Sequence, residues 1–461
     1  YGARGTKLEV KVPTLTPAQI LEVTQTVRTA TQTQIKNMVV SEIVRAVDLA
    51  ILKLLDINHP DRKSLDALLP IATGMDPTML QHNFSQYLKT FRGLQLNRFI
   101  AEDFGNPQLL DAFQPRVTGG WTKATGADLI THVWAGNVPG LPLWSLISGL
   151  LVKAGTVGKV SGAEPICASI FAKVLVDIEP RFANCLSIIW WPTEDTQTAC
   201  HVFQLSDIVL AYGGNDALAA IQSQVPVTTR FLPHGHKISF AVVTSYALSV
   251  VRAKHIAKLA ALDIARYEQQ GCYSPQMFYV ERGAQVSPQE FAQLLASELA
   301  GLAHKYPRSD MTLEEKNNIL KWRESQELEM LHTTSVQVLG DKSDDFVVVY
   351  NDKPVHLQPS PLNRFVTVVA IDSLQDVIAS ISDKRMYLQT AGVATNPESL
   401  LSVGEALAKC GVTRICAIGE MTAPAAGWHH DGRFSLLDLV NMVDIEASTE
   451  LASNALTNYE L

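Results

Sequence analysis

Between residues 15 and 113 the apolar positions recur three and four residues apart, through Ile20, Val23 and Val27, then through Val40, Ile43, Val44, Val47 and Ile51. That period places them on one face of a helix, so residues 1–114 read as an N-terminal helical region. Thr16 and Pro17 are suited to a helix N-cap and first turn. Strand-like material begins near Pro115, and from Asp128 the pattern changes. Short apolar stretches at 129–134, 156–160, 185–190 and 207–211 predict strands. They alternate with amphipathic stretches at 142–153, 165–177, 194–204 and 216–222 that predict helices. Strands separated by helices imply parallel crossovers, hence a doubly wound α/β sheet, assigned here to residues 115–238.

A second α/β unit is expected over 239–425. Its predicted helices are 251–270 and 313–329, and its predicted strands are 277–281, 346–350, 365–370 and 414–418. Residues 426–461 are expected to return to the first sheet or to form an oligomer interface. No internal repeat, low-complexity tract or long linker interrupts the chain.

A chain of 461 residues exceeds one ordinary core, in keeping with this division. Hydrophobic residues at 47% and charged residues at 18% are a globular balance. The net charge of -8 and the lack of a Lys/Arg block argue against a nucleic-acid partner. The longest nearly uncharged apolar run, 141–152, is too short to span a bilayer. The start of the chain lacks the basic-then-apolar order of a signal peptide, so a cytoplasmic location is expected. The six cysteines, Cys167, Cys185, Cys200, Cys272, Cys410 and Cys416, are then expected as free thiols.

Cys272 differs from the other five. It lies in Gln269-Gln270-Gly271-Cys272-Tyr273-Ser274, a polar turn between a predicted helix and a predicted strand. A nucleophilic cysteine must be partly exposed and able to ionise, and such a turn permits both. The competing reading is an inert buried thiol, the commoner fate of a cysteine. Asn137, in Ala135-Gly136-Asn137-Val138-Pro139-Gly140, follows a predicted strand. Its side-chain N–H can serve an oxyanion, or it can simply be a turn residue. Lys159 ends one predicted strand, and Gly213-Gly214 ends another and opens a helix, which suits a phosphate. A Gly pair after a strand is more often only a tight turn, and no GxGxxG is present. His234 and His236 form a His-x-His pair, and His429-His430 a tandem. Without an HExxH motif or zinc-spaced ligands, no metal is expected, and an acid/base or turn role is favoured.

In this order the segments AGNVPG, AGTVGKVSGAEP, DIVLAYGGNDAL, FLPHGHKISFAVV, QQGCYSPQ and GVTRICAIGEMTAPAAGWHHDGR resemble the acyl-CoA reductase (LuxC-type) branch of the aldehyde dehydrogenase superfamily, over about residues 128–446. The resemblance implies an aldehyde dehydrogenase-like fold, with a Rossmann-type cofactor domain, a second α/β catalytic domain and the helical N-terminal region. It implies Cys272 as the acyl-accepting nucleophile and Asn137 as the oxyanion donor. Lys159 would contact the adenosine ribose, and Gly213 and Gly214 would approach the pyrophosphate. Trp134, Ala135 and Gly136 would line the nicotinamide side.

Two departures refine that expectation. Where oxidising relatives carry Glu-Leu-Gly-Gly-Lys, this chain has Pro233-His234-Gly235-His236-Lys237, so the water-activating glutamate is gone. That favours thioester reduction over aldehyde oxidation. After Lys159 come Val160, Ser161 and Gly162, and the acidic residue that would hold a ribose 2'-hydroxyl is missing, which favours NADPH. The expected reaction is reduction of a fatty acyl-CoA to its aldehyde through an acyl-cysteine, with His234 or His236 handling a proton. The alternatives are release of an acyl chain from a carrier-protein thioester and a non-catalytic binding subunit. A homo-oligomer, and an acyl-donating partner protein, fit the same family.

Overall fold

The computed structural model describes residues 1–3 and 5–456. The chain forms two compact units. One comprises Glu9–Leu68, Ser85–Gly235 and the segment from Ala425 onward, and the other comprises Tyr1–Leu8, Leu69–Phe84 and His236–Pro424.

The first unit is built on a five-stranded parallel sheet. Across the sheet the strands run Leu186–Ile189, Gly155–Lys159, Leu129–Val133, Ile208–Tyr212 and Arg230–His234. In chain order this is 3-2-1-4-5, so the winding reverses on either side of Leu129–Val133. In such sheets ligands bind beyond the carboxyl ends of the strands at that reversal. The expected N-cap is present: the Thr16 hydroxyl accepts from the Gln19 backbone N–H at 3.3 Å, and the Gln19 side chain accepts from the Thr16 backbone N–H at 2.9 Å. Helix Pro17–Thr33 then buries Ile20 and Val27 in the core formed by Leu129, Val157, Val202 and Val209. The first predicted helix therefore belongs to the core of this sheet. An antiparallel sheet of Val440–Ile445, Trp121–Gly126 and Gln114–Pro115 completes the unit.

The second unit holds a seven-stranded sheet in the order Val336–Leu339, Val347–Asn351, Phe365–Ile371, Pro275–Glu281, Ile238–Val243, Leu388–Ala394 and Arg414–Ala417. All neighbours are parallel except the first pair. Helices Val250–Ala265 and Pro288–Lys305 pack through Ala257, Ala261, Phe291 and Leu295 on one face, over Phe278, Val348 and Val366. Among the described residues no helix is long and apolar enough to cross a membrane.

The structure departs from the sequence expectation at several elements, among them the unanticipated strands Ile238–Val243 and Val336–Leu339 and helix Pro288–Lys305. The helix expected over 251–270 ends at Ala265, because Tyr267, Glu268 and Gln269 take left-handed backbone angles with φ of 51°, 52° and 60°. The strand Leu388–Ala394, next to the edge strand of the sheet, was not anticipated either. Its Gln389, Thr390 and Gly392 dilute the apolar run, and Gly392 is required because a Cβ would lie 2.5 Å from Met421 Sδ. The exposed strand Val440–Ile445 carries no inward-facing alternation from which it could be read.

Gly158 is a tight fit in the first sheet, since a Cβ there would lie 2.1 Å from the Trp134 indole. Gly158→Ala should lower stability by about 1–3 kcal/mol by forcing that ring to move. Urea unfolding measures this, and an unchanged midpoint would mean the indole is not seated on the strand.

Candidate functional site

Three predicted segments meet at the carboxyl edge of the five-stranded sheet. The loop 134–140 follows the central strand, Lys159 ends the strand on one side, and Gly213-Gly214 follows the strand on the other. Asn137 is exposed in that loop. Gly140, with φ of 83°, turns the chain into helix Leu141–Leu151. Trp134 is directed inward instead: it is 3% exposed, stacks on His132 and donates its Nε1–H to Ser145 Oγ at 2.8 Å. Only its backbone is available to a ligand. Ala135 is half-buried beside it.

Gly136 lets this loop approach the turn that follows Lys159. A Cβ at Gly136 would lie 2.7 Å from Ala163 Cβ and 2.8 Å from Ser161 Oγ. Ser161 Oγ accepts from the Ala163 N–H at 3.1 Å, which tightens that turn. The Lys159 ammonium lies 5.5 Å from the centre of the Trp191 ring. Burial lowers its pKa, and the field of Glu194 opposes the shift. Gly162, three residues on, is exposed, and a Cβ there would meet nothing within 4 Å. On the other side Gly214 is the N-cap of helix Asn215–Gln222, and the Gly213 N–H donates to the His234 carbonyl at 3.2 Å.

Sequence reasoning passed over Glu164, which braces the turn between Lys159 and the next helix. It is 2% exposed, and its Oε1 accepts from the backbone N–H groups of Ile166 at 2.7 Å and Cys167 at 2.8 Å. Burial raises its pKa, and the backbone N–H groups of Cys167, Ile166 and Gly140 oppose that shift. Its cue in the sequence was an acidic residue just before Pro165 at the start of a helix.

His234 ends the strand Arg230–His234 and is held from three directions. Its Nδ1 lies 2.8 Å from Asp431 Oδ2, with Tyr212 stacked on it at 4.7 Å and His430 at 4.4 Å. A cavity of about 30 Å³, lined in part by Trp144, Tyr212, His234, His430 and Arg433, adjoins the stack. That is room for about one water. The ligand atoms of His234, His430 and Asp431 lie within 4.8 Å of one another. The two imidazoles nevertheless stack with only 17° between their planes, so their in-plane lone pairs run side by side and do not converge. The arrangement is a carboxylate holding an imidazole, which fixes one tautomer of His234. Tandem His429-His430 thus contributes one stacking residue, while His236 is exposed and belongs to the other unit.

In the second unit, Cys272 occupies a tight turn just before the strand Pro275–Glu281, near the middle of the sheet. The turn is closed by the Ser274 N–H on the Gly271 carbonyl at 2.9 Å. The Ser239 hydroxyl donates to the Cys272 carbonyl at 2.7 Å and accepts from the Thr390 N–H at 3.1 Å, so the neighbouring strands grip the turn. Cys272 is half-buried. Gly271 has no side chain of its own to fill the turn. The space its Cβ would fill is instead taken by the Tyr273 ring, 2.4 Å away. All six cysteines are free thiols, and burial pushes the Cys185 and Cys416 thiols up to about 11.

Three comparisons bear on this arrangement. The sequence profile of the acyl-CoA reductase (LuxC) family matches residues 35–442. The long-chain acyl-protein thioester reductase of Vibrio harveyi is 27% identical over 351 residues, 75% of this chain and 70% of that protein. Its counterpart from Photorhabdus laumondii is 26% identical, covering 75% and 69%. Among solved structures, an indole-3-acetaldehyde dehydrogenase complexed with NAD+ superposes with a TM-score of 0.74 at 14% identity, covering 95% of this chain and 90% of that one. Glyceraldehyde-3-phosphate dehydrogenase from Methanocaldococcus jannaschii, complexed with NADP, gives 0.73 at 12% identity, covering 95% and 96%. The fold is therefore that of the aldehyde dehydrogenases.

Removing the Glu164 carboxylate leaves buried N–H groups without acceptors. Glu164→Ala should cost about 1–3 kcal/mol of stability. Denaturant unfolding measures it, and a loss below a few tenths would show that the turn does not depend on this side chain.

Proposed function

Because the chain belongs to the acyl-CoA reductase (LuxC) family, we propose that it reduces an acyl thioester to the aldehyde through an acyl group carried on Cys272. The observation that carries this reading is the Cys272 turn: a half-buried thiol presented ahead of a central strand by a braced backbone. The similar proteins named as long-chain acyl-protein thioester reductases support the reaction class.

In this reading the Cys272 thiolate attacks the thioester carbonyl, and the carbonyl electrons move onto oxygen. The Asn137 side chain and the Cys272 backbone N–H donate to that oxyanion. The oxyanion collapses, the carbon–sulfur bond to the donor thiol breaks, and the acyl group remains on Cys272. A reduced nicotinamide cofactor, when bound, supplies hydride to the acyl carbon. The chain's own residues then assist the collapse of the thiohemiacetal to aldehyde and free Cys272. His234, oriented by Asp431, is the residue for the proton at its Nε2, with His236 as the second candidate. Pro233 stands where a water-activating carboxylate would serve oxidation, and a proline side chain has no base to offer.

The carboxyl edge of the first sheet suits such a cofactor. It offers a reversal of strand order, a lysine at a strand end, and a glycine pair at a helix N-terminus. With Lys159 and Gly162 flanking the ribose position, a 2'-phosphate finds a cation and room, so NADPH is the proposed reductant. The donor thiol is proposed to be coenzyme A. A carrier or enzyme thiol is the second reading, favoured by the names of the similar reductases.

Two results follow. Cys272→Ala should abolish aldehyde formation while leaving a folded protein that still binds NADPH, and normal turnover by that variant would remove the mechanism. The value of kcat/KM should be higher with NADPH than with NADH when both are measured on one acyl-CoA. A clear NADH preference would show that the ribose site lies elsewhere.

A further inference from the structure

The backbone just before Cys272 is strained. Tyr267, Glu268 and Gln269 all have left-handed φ, and so do Leu362, Asn363 and Arg364, with φ of 62°, 55° and 72°. None of the six is glycine. Left-handed residues of this kind persist only where their surroundings over-determine them, and such strain clusters at functional sites.

The two turns are locked to each other. Arg364, fully buried, donates from Nε to Glu268 Oε2 at 2.7 Å and from Nη2 to Glu268 Oε1 at 2.8 Å. Its third arm donates to the Tyr306 carbonyl at 2.7 Å. Glu268 is 4% exposed, and its carbonyl accepts from the Asn363 N–H at 3.0 Å. Gln269 extends the lock across the cysteine turn. Its amide donates to the Pro275 carbonyl at 2.9 Å and the Phe365 carbonyl at 3.2 Å, and its oxygen accepts from the Phe365 N–H at 2.9 Å. Residues 270–274 are thereby stretched between two fixed points, with Cys272 at the middle.

We propose that Glu268 and Arg364 are positioning residues for Cys272: their buried ion pair holds two left-handed turns together and so sets the direction in which the 270–274 turn presents its thiol. A buried ion pair is weak evidence for stability, since apolar residues of similar volume often replace both partners at no cost. It is suited to fixing one backbone arrangement among several. This deepens the acyl-cysteine reading and rests on it only where acylation is measured.

The test replaces both partners, Glu268→Met with Arg364→Met, so that neither charge is left buried alone. Two rates are followed at fixed pH. One is alkylation by iodoacetamide resolved at each cysteine by peptide mass spectrometry, and the other is single-turnover acylation by an acyl-CoA. The expected result is cooperative unfolding near the native midpoint, Cys272 alkylation at least tenfold faster because its turn is loosened, and acylation at least tenfold slower because the thiol is no longer aimed. Buried Cys167, in the other unit, reports general loosening and should keep its native rate. A merely structural role would speed all cysteines together or neither. Either Cys272 rate staying within twofold of native in the folded variant overturns the proposal. If the double variant does not fold, Arg364→Lys, which keeps the charge and loses the two-pronged contact, should move both rates about threefold in the same directions, and no movement overturns it. If the native protein is not acylated at all, the acyl-cysteine reading fails, and alkylation alone decides whether the pair holds the turn.

Discussion

A carboxylate and a guanidinium withdrawn together from water, Glu268 and Arg364, are the constraint on which the cysteine turn depends. Neither charge tolerates burial without the other, so the two backbone turns that carry them must stay in register. That register ends helix Val250–Ala265 early, swings the chain through three left-handed residues, and delivers it to the strand Pro275–Glu281 with Cys272 between. Gln269 and Ser239 finish the work by taking up the backbone groups that a tight turn leaves over. A nucleophile held this way needs little further ordering when a substrate arrives, which is where positioning lowers a barrier.

The other unit follows a different logic, set by sheet topology. Because strand order reverses about Leu129–Val133, the loops after three neighbouring strands open toward one edge. Asn137, Lys159 and the Gly213-Gly214 pair all stand there by connectivity alone. What the topology does not supply is loop shape, and at the turn after Lys159 Glu164 supplies it by accepting from the backbone at the start of helix Cys167–Ile178. One buried acid therefore steadies that turn, as one buried ion pair steadies the second unit's.

Much of this was legible in the residues. The alternation of short apolar strands with amphipathic helices announced the parallel sheet, since its strands are buried on both faces and read as continuous apolar runs. Thr16 and Gln19 announced a helix start through side-chain chemistry that acts locally. The segments carrying Asn137, Lys159 and Cys272 could be picked out by motif. The partners that brace them could not. Glu268 and Arg364 lie far apart in sequence, and their pairing is a consequence of the fold. Nothing in Tyr267-Glu268-Gln269 forbids a helix, so propensity extended one through it until tertiary contacts overruled it. The family resemblance put Trp134 on the nicotinamide side, yet the missing Cβ of Gly158 makes a place for its ring in the interior. Strand Leu388–Ala394 escaped notice because a buried strand of small and polar residues has no apolar signature.

The central claim is that acyl transfer to Cys272 is separable from reduction, because no residue at position 233 activates water. Intact-protein mass spectrometry after mixing with a long-chain acyl-CoA, with NADPH withheld, tests it most directly. The account predicts a stable mass increase of one acyl group per chain, mapped to Cys272 and discharged as aldehyde when NADPH is added. Rapid release of free fatty acid with no acylated protein, or an acyl group on any other residue, would contradict it.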